Sequence, residues 1–212
     1  MVNMREIYEE SLQHLENSVM SLAGDVYRTI EKSINVLSDD NKDIAREIIA
    51  NDVHINAKES DIENQIISLI TKQQPIATDL RMILSSSKIA SELERMGDNA
   101  SNIAKIRKRV KIEDTYILAR LNTMGKLSML MLADLKEAYA SQDVNLVKEI
   151  IERDNDIDDL YKEIINSSYL IDNDPYISGQ AHLAGRYLER IGDHITNIAE
   201  SVYFTITGER FS

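Results

Sequence analysis

A twelve-residue segment occurs twice in this 212-residue chain, and it constrains the fold more than any other feature. The copies are LERMGDNASNIA at 93–104 and LERIGDHITNIA at 188–199, with eight of twelve positions identical. Each copy has two acids four residues apart, which lie on one face if the segment is helical. Each also has a glycine, which costs a helix about 1 kcal/mol relative to alanine. Two features that each destabilise a helix recur at matching positions. This recurrence indicates a duplicated unit in which the acids have a function.

Apolar residues recur at intervals of three and four along almost the whole chain, which predicts an all-α protein. We expect six long helices, over about residues 4–37, 43–71, 76–110, 115–140, 144–171 and 175–207. The repeated segment lies in the third and sixth helices. A second echo, EIIAND at 47–52 and EIIERD at 149–154, relates the second helix to the fifth. The chain is therefore predicted to be two tandem homologous three-helix bundles, residues 1–112 and 113–212.

Composition excludes several classes of protein. The net charge of −12 disfavours nucleic acid as a partner, because its phosphates would be repelled. The chain has no cysteine, which excludes disulfides and thiolate metal sites. The N-terminal residues contain acids and no apolar block, and the densest apolar run, 129–132, is far too short to span a bilayer. We therefore expect a soluble protein of a reducing compartment that does not insert into the membrane.

The hairpin between the second and third helices places acids of the two helices beside each other. If these helices are antiparallel about Pro75, residues whose numbers sum to about 150 lie level. Asp52 then faces Asp98, and Asn56 faces Glu94. An ionised carboxylate on an apolar packing stripe is costly unless it is paired or binds a metal. Asp52 lies on such a stripe.

The second unit repeats this arrangement with one acid more. A turn near residue 173 brings Asp154 level with Asp193, and Asp158 level with Glu189. Asp154 also lies on an apolar stripe. Such oxygen-rich sites suit hard cations, or iron, manganese or zinc bridged by carboxylates. The alternative is that Arg28, Arg95, Lys126 or Arg190 neutralises these acids in ordinary salt bridges. The first site is the weaker candidate because it has Asn56 in place of an acid.

Several other polar residues need an explanation. Basic residues crowd the end of the third helix at 105–111, where they either complement the helix dipole or form a docking patch for an acidic partner or membrane surface. Asp79 and Asp174 suit the first turns of their helices. His182 and His194 are expected to be isolated, with His194 at the surface or behind the acidic ligands.

The sequence QPIATDLR at 74–81, together with the doubled ERxGD, resembles the PhoU family over nearly the whole chain. The resemblance implies a cytoplasmic, often dimeric, negative regulator of the high-affinity phosphate ABC transporter, acting on the transporter ATPase and a phosphate-sensing histidine kinase. It also implies metal ions, iron or zinc among them, held by Glu94, Asp98, Glu189 and Asp193. The second unit departs from the pattern, with DPYIS at 174–178 in place of the proline-containing stretch.

A second hypothesis is a carboxylate-bridged di-metal protein of the ferritin type. Such proteins take a Glu-x-x-His motif from each of two helices, and this sequence has none. It also has no nucleophile–base arrangement and no glycine-rich phosphate loop. We therefore predict no catalytic residues and no enzymatic activity.

Overall fold

A computed structural model describes residues 4–39, 41–73, 75, 77–168 and 174–211. These described residues form six α-helices: α1 (Met4–Ser38), α2 (Lys42–Gln73), α3 (Ala77–Arg109), α4 (Thr115–Ser141), α5 (Val144–Ser168) and α6 (Pro175–Thr207). The predicted helix ends agree within two residues wherever the structure describes them. The predicted end of the fifth helix lies outside the described residues. None of the described helices has an apolar stretch long enough to cross a lipid bilayer.

Short polar side chains define the ends of the second-unit helices. Asp114 accepts a hydrogen bond from the Ile117 backbone N–H at 2.9 Å, and Asp174 accepts one from Tyr176 N–H at the same distance. These bonds satisfy N–H groups that have no partner within the helix. Pro175 directly follows the second cap, where its missing N–H costs nothing. The capping role predicted for Asp174 is confirmed.

Within each unit the three helices pack around a continuous apolar stripe. In α1 the stripe is almost fully buried and contains Leu15, Leu22, Val26, Ile30, Ile34 and Leu37. The predicted antiparallel register of α2 and α3 is confirmed by Ser87, whose hydroxyl lies 3.4 Å from Glu63, since the two numbers sum to 150. In the second unit Ile157 lies next to Gly192, close to the predicted sum of 347.

The two units share one core rather than meeting at a polar seam. Among the described helices, α3 and α6 form the most extensive packing interface, and α1 packs against α4 beside it. The second contact brings Tyr139 to within 3.3 Å of Glu16 and Ile34 against Gly125. The tandem three-helix architecture is thus confirmed. The boundary predicted between residues 112 and 113 falls between α3 and α4 and stays a prediction.

The first turns of α3 are fixed from both sides. The Tyr8 hydroxyl of α1 donates a hydrogen bond to Asp79 at 3.0 Å. Burial, followed by this carboxylate, raises the pKa of Tyr8 to about 12. Arg81 places its guanidinium carbon 5.6 Å from the centre of the Phe204 ring of α6. The motif at the start of α3 therefore links the beginning of α1 to the end of α6.

Candidate functional site

The structure brings together the four acids predicted for the second unit. Asp154 and Asp158 lie one turn apart on α5, and Glu189 and Asp193 lie one turn apart on α6. Asp154, Asp158 and Glu189 are half-buried, whereas Asp193 is exposed. The two helices approach closely here, because a Cβ at Gly192 would overlap the Asp154 carboxylate.

Mutual repulsion and burial dominate the electrostatics of this cluster. Burial, followed by repulsion from Asp158 and Asp193, raises the pKa of Asp154 to about 6. The pKa of Glu189 is raised by burial and then by Asp193, and that of Asp193 by burial and then by Asp158. Each shift shows that the ionised form is disfavoured where it stands. The charges of Arg186 and Arg190 offset the pKa shifts of Glu189 and Asp193 only in part.

Among the described residues, one basic side chain forms an ion pair with an acid of the cluster, and it satisfies one oxygen. Arg186 forms an ion pair with Oε1 of Glu189 one turn earlier on α6. The other carboxylate oxygen, Oε2, is buried and has no hydrogen-bond partner among the described residues, and the same is true of Asp154 Oδ1. Arg186 was missed at the level of sequence, although its three-residue spacing from Glu189 is an ordinary helical ion-pair signal.

The first unit contains a corresponding cluster on α2 and α3. Asp52 lies beside Asp98, and its pKa is raised by burial and then by that carboxylate, while Lys105 opposes the shift. Burial, followed by Asp98, Glu59 and Asp52, raises the pKa of Glu94. Asp52 Oδ1 is buried and has no hydrogen-bond partner among the described residues. The predicted facing of Asp52 and Asp98 is therefore observed.

Glu59 is an acid that the sequence interpretation missed. It lies on α2 one turn beyond the exposed Asn56, close enough to Glu94 to raise its pKa. Burial, followed by Glu63, raises the pKa of Glu59 itself. Its counterpart at the repeat offset of 102 is Tyr161. Glu59 thus gives the first cluster an acid in place of the one that is absent at Asn56. The repeat pattern could not indicate this acid, because the equivalent residue of the second unit is not acidic.

The repeated glycine allows each pair of helices to approach. A Cβ at Gly97 would lie 2.9 Å from Ile55 Cδ1 and 3.1 Å from its Cγ2. A Cβ at Gly192 would lie 3.1 Å from Ile157 Cδ1 in addition to its overlap with Asp154. Both glycines are buried. The glycine therefore allows the two helices to pack closely enough for their acids to repel each other.

The oxygen donors of the two clusters are of a type that binds cations, but the described side chains do not converge on one point. Among the residues that the structure describes, no three carboxylate or histidine side chains are placed to hold one metal ion. The orphaned oxygens of Asp52, Asp154 and Glu189 are nevertheless the groups that a cation would satisfy. All donors are oxygens, which suits hard cations and carboxylate-bridged iron or zinc. The metal-ligand assignment stays a prediction.

The salt-bridge alternative accounts for part of the charge only. Arg28 pairs with Asp25 and not with the cluster. Arg95 lies 3.7 Å from Glu92, and its charge is the smallest of the influences on the pKa of Glu94. Neither residue hydrogen-bonds to the orphaned oxygens. The acids predicted to be neutralised by these two arginines therefore retain raised pKa values.

His194 does not lie at the surface, and that part of the prediction is wrong. The residue is 7% exposed, and its Nδ1 lies 2.7 Å from the carboxylate of Glu92 on α3. Asn197 donates to the same carboxylate oxygen at 3.1 Å. This buried contact joins the two units close to both acidic clusters. His194 directly follows Asp193, and Glu92 lies two residues before Glu94. A separation of 102 residues leaves no local signal for it in the sequence.

Two further expectations need correction. His182 is not isolated, because its Nε2 lies 3.2 Å from the Tyr161 hydroxyl and the rings meet edge to face. In the basic cluster at 105–111, Arg107 is buried and donates from Nε to the Asp39 carbonyl oxygen at 2.8 Å. It ties the α1–α2 turn to α3 and is not part of an exposed docking patch.

Comparison with known proteins supports this architecture. The family model described as PhoU domain matches the chain twice, over residues 19–106 and 121–202. A phosphate-specific transport system accessory protein PhoU homolog from Clostridium acetobutylicum is 35% identical and aligned over 97% of each chain. The corresponding PhoU of Escherichia coli is 28% identical, over 96% of this chain and 87% of its own.

Solved structures agree with the sequence comparison. The crystal structure of the phosphate transport system regulatory protein PhoU from Streptococcus pneumoniae superposes with a TM-score of 0.87 at 34% identity, covering 97% of this chain and 99% of that one. PhoU from Pseudomonas aeruginosa gives 0.88 at 27%, covering 95% and 100%. These proteins are accessory or regulatory by name, and the family they represent is one of regulatory accessory proteins and not of enzymes. With two domain matches, full-length relatives and a shared fold, this chain belongs to the PhoU family and has a role in phosphate transport.

Proposed function

We propose that this protein is a negative regulator of a high-affinity phosphate ABC transporter and its sensor histidine kinase. It acts by protein contact in the cytoplasm, as a homodimer, and binds metal ions at its two acidic clusters. The observation that carries the regulatory part is the match to phosphate-transport accessory proteins over 97% of the chain. The ferritin-type alternative is set aside, because the relatives are named as accessory proteins rather than enzymes.

The metal part of the proposal rests on the two acidic clusters. In the second unit Asp154, Asp158, Glu189 and Asp193 would hold the ion. In the first, Asp52, Glu94 and Asp98 would do so with Glu59 beside them. Iron or zinc is the metal we expect. A bound cation would offset the mutual repulsion that, after burial, raises the pKa values of Asp154 and Glu94.

Phosphate uptake tests the regulatory part directly. The chain is expressed in bacteria that lack their own protein of this kind, and uptake of radiolabelled phosphate is measured at high external phosphate. We expect uptake to fall severalfold, and purified transporter ATPase and kinase to be retained by the immobilised chain. Unchanged uptake together with no retention of either partner would contradict the proposal.

A matched pair of variants connects the clusters to regulation. Glu94→Ala combined with Glu189→Ala removes one acid from each cluster and should restore most of the uptake. Asp156→Ala changes an exposed acid on α5 that has no ion-pair partner among the residues the structure describes, and it should regulate like the wild type. Equal regulation by both variants would show that the clusters have no part in it.

A further inference from the structure

A groove at the end of α6 lies outside both acidic clusters. It is formed by one face of α3, the last turns of α6 and the C-terminal residues that follow, and its volume is about 490 Å³. We define the C-terminal groove by Leu84, Lys88, Phe204, Arg210 and Phe211, which line it together with Ser85, Glu200 and Ser201. Its volume lies within the range of ligand pockets, about 300–1,000 Å³.

The C-terminal residues are held in place by specific contacts. Gly208 has a φ of 79°, which favours glycine, and its N–H bonds to the Phe204 carbonyl at 2.9 Å. A Cβ there would lie 2.6 Å from Nη1 of Arg81. Phe211 packs edge to face on Tyr203, with ring centres 5.3 Å apart. The wall of the groove is therefore preformed.

The charge of the groove is opposite to that of the molecule. Lys88 and Arg210 line it and Arg81 lies one turn before Leu84 on α3, whereas Glu200 is its acid. Across the described residues none of these three cations forms an ion pair with a carboxylate. The whole chain has 36 acids against 24 basic residues, a net charge of −12. Two cations that line the groove, with Arg81 one turn before Leu84 on α3, make this surface locally positive in an acidic chain.

Apolar surface lies between these cations. Leu84 is 52% exposed, and both Phe204 and Phe211 are partly exposed. Apolar anchors ringed by charge are typical of protein-docking surfaces. A nucleic acid would fit less well, because it brings one charge per about 1.7 Å against an acidic chain, whereas an acidic segment needs complementarity only at the groove.

We propose that the C-terminal groove docks an acidic segment of a partner protein, with an apolar side chain of that segment against Leu84 and the two phenylalanines. Its acids pair with Lys88 and Arg210, and Arg81 adds to the field. The inference rests on the proposed function only for the expectation that the protein acts by contact. It assigns the contact to a surface whose lining contains none of the acids of the two clusters.

A display library of random twelve-residue peptides, selected on the full-length chain, tests the groove without knowledge of the partner. We expect selected peptides to be enriched in Asp and Glu beside Leu or Phe. Their affinity should fall at least about tenfold in Lys88→Glu/Arg210→Glu and weaken with added salt. The control Lys42→Glu/Lys126→Glu makes the same change of charge at exposed lysines outside the groove and should retain the affinity.

Selected peptides with no acidic enrichment, or acidic peptides that bind the groove variant as tightly as the control, would overturn the inference. Binding of the purified transporter ATPase to the same proteins separates the two proposals. If acidic peptides bind at the groove but neither the ATPase nor the kinase binds the chain, the groove proposal stands and the proposed function is contradicted. If the ATPase binds both double variants equally and acidic peptides do not compete with it, the proposed function stands and the groove proposal is contradicted.

Discussion

The chemistry at the residue scale centres on carboxylates with one buried oxygen that has no hydrogen-bond partner among the described residues. Asp154 is the clearest case, because its pKa is raised to about 6 and its Oδ1 is orphaned. A folded-state pKa above the unfolded value means that the folded state binds the proton more tightly. The contribution to stability is then present at low pH and is lost as pH rises from about 4 through 6. At neutral pH this acid destabilises the metal-free protein.

Replacing this acid by its neutral analogue should therefore stabilise metal-free protein. For Asp154→Asn in chelator-treated protein we expect a gain of about 1 kcal/mol in the free energy of unfolding at pH 7, allowing for solvent screening. The gain should vanish below about pH 3, where Asp154 is protonated in both the folded and the unfolded state. Urea unfolding at the two pH values measures it. Asp156→Asn, exposed on the same helix, should change little, and a loss of stability in Asp154→Asn at pH 7 would contradict the account.

The acids themselves were predictable from the sequence, whereas most of their neighbours were not. The repeat and the hairpin sums place Asp52 with Asp98 and Asp154 with Asp193, because helix geometry converts sequence spacing into position. Glu59 was missed and the surface placement of His194 was wrong, since the contacts of both residues depend on side-chain reach across a packed interface. Arg107 was read as part of an exposed cluster, because a local run of charge does not reveal which member is buried.

At the element scale, glycines set how closely helices cross. Gly125 of α4 packs directly against Ile34 of α1, and a Cβ there would overlap Ile34 Cδ1 and Cγ1. Ile34 is 3% exposed, so it has little room to move away. Helix positions and register follow from the apolar spacing, whereas a glycine at a crossing between units is visible only once the units are packed.

Gly125→Ala should destabilise the protein by about 1–3 kcal/mol, because overpacking outweighs the gain in helix propensity. Gly179→Ala in α6 is the control, since a Cβ at this exposed position would meet nothing within 4 Å, and it should stabilise by up to about 1 kcal/mol. Denaturant unfolding measures both. Adding Ile34→Val removes the overlapping Cδ1 and should recover part of the loss. A Gly125→Ala protein as stable as Gly179→Ala would contradict the packing argument.

At the scale of the whole molecule, two similar units are joined by contacts that are not repeated. Glu92 of α3 contacts His194 and Asn197 of α6. The two units are related by an offset of 95 residues. The position equivalent to Glu92 is Tyr187, and the position equivalent to His194 is Asn99, so neither of these two side chains is repeated in the other unit. The sequence repeat predicted the duplication correctly, but within the described part of the chain this polar link occurs once and breaks the symmetry.

A double-mutant cycle measures this link. Glu92→Ala and His194→Ala should each cost about 1–3 kcal/mol, because each leaves a buried polar partner unsatisfied. The double variant should cost less than the sum of the two, with a coupling of about 1 kcal/mol in urea unfolding. Costs that add within about 0.5 kcal/mol would show that the two side chains do not interact.

Metal content is the measurement that tests the paired acidic clusters most directly. Protein purified without chelator is analysed for bound elements by mass spectrometry, as wild type, Glu94→Ala, Glu189→Ala and the double variant. We predict stoichiometric iron or zinc in the wild type, a partial loss in each single variant and almost none in the double variant. Wild-type protein without stoichiometric metal, or a double variant that retains it, would contradict the account.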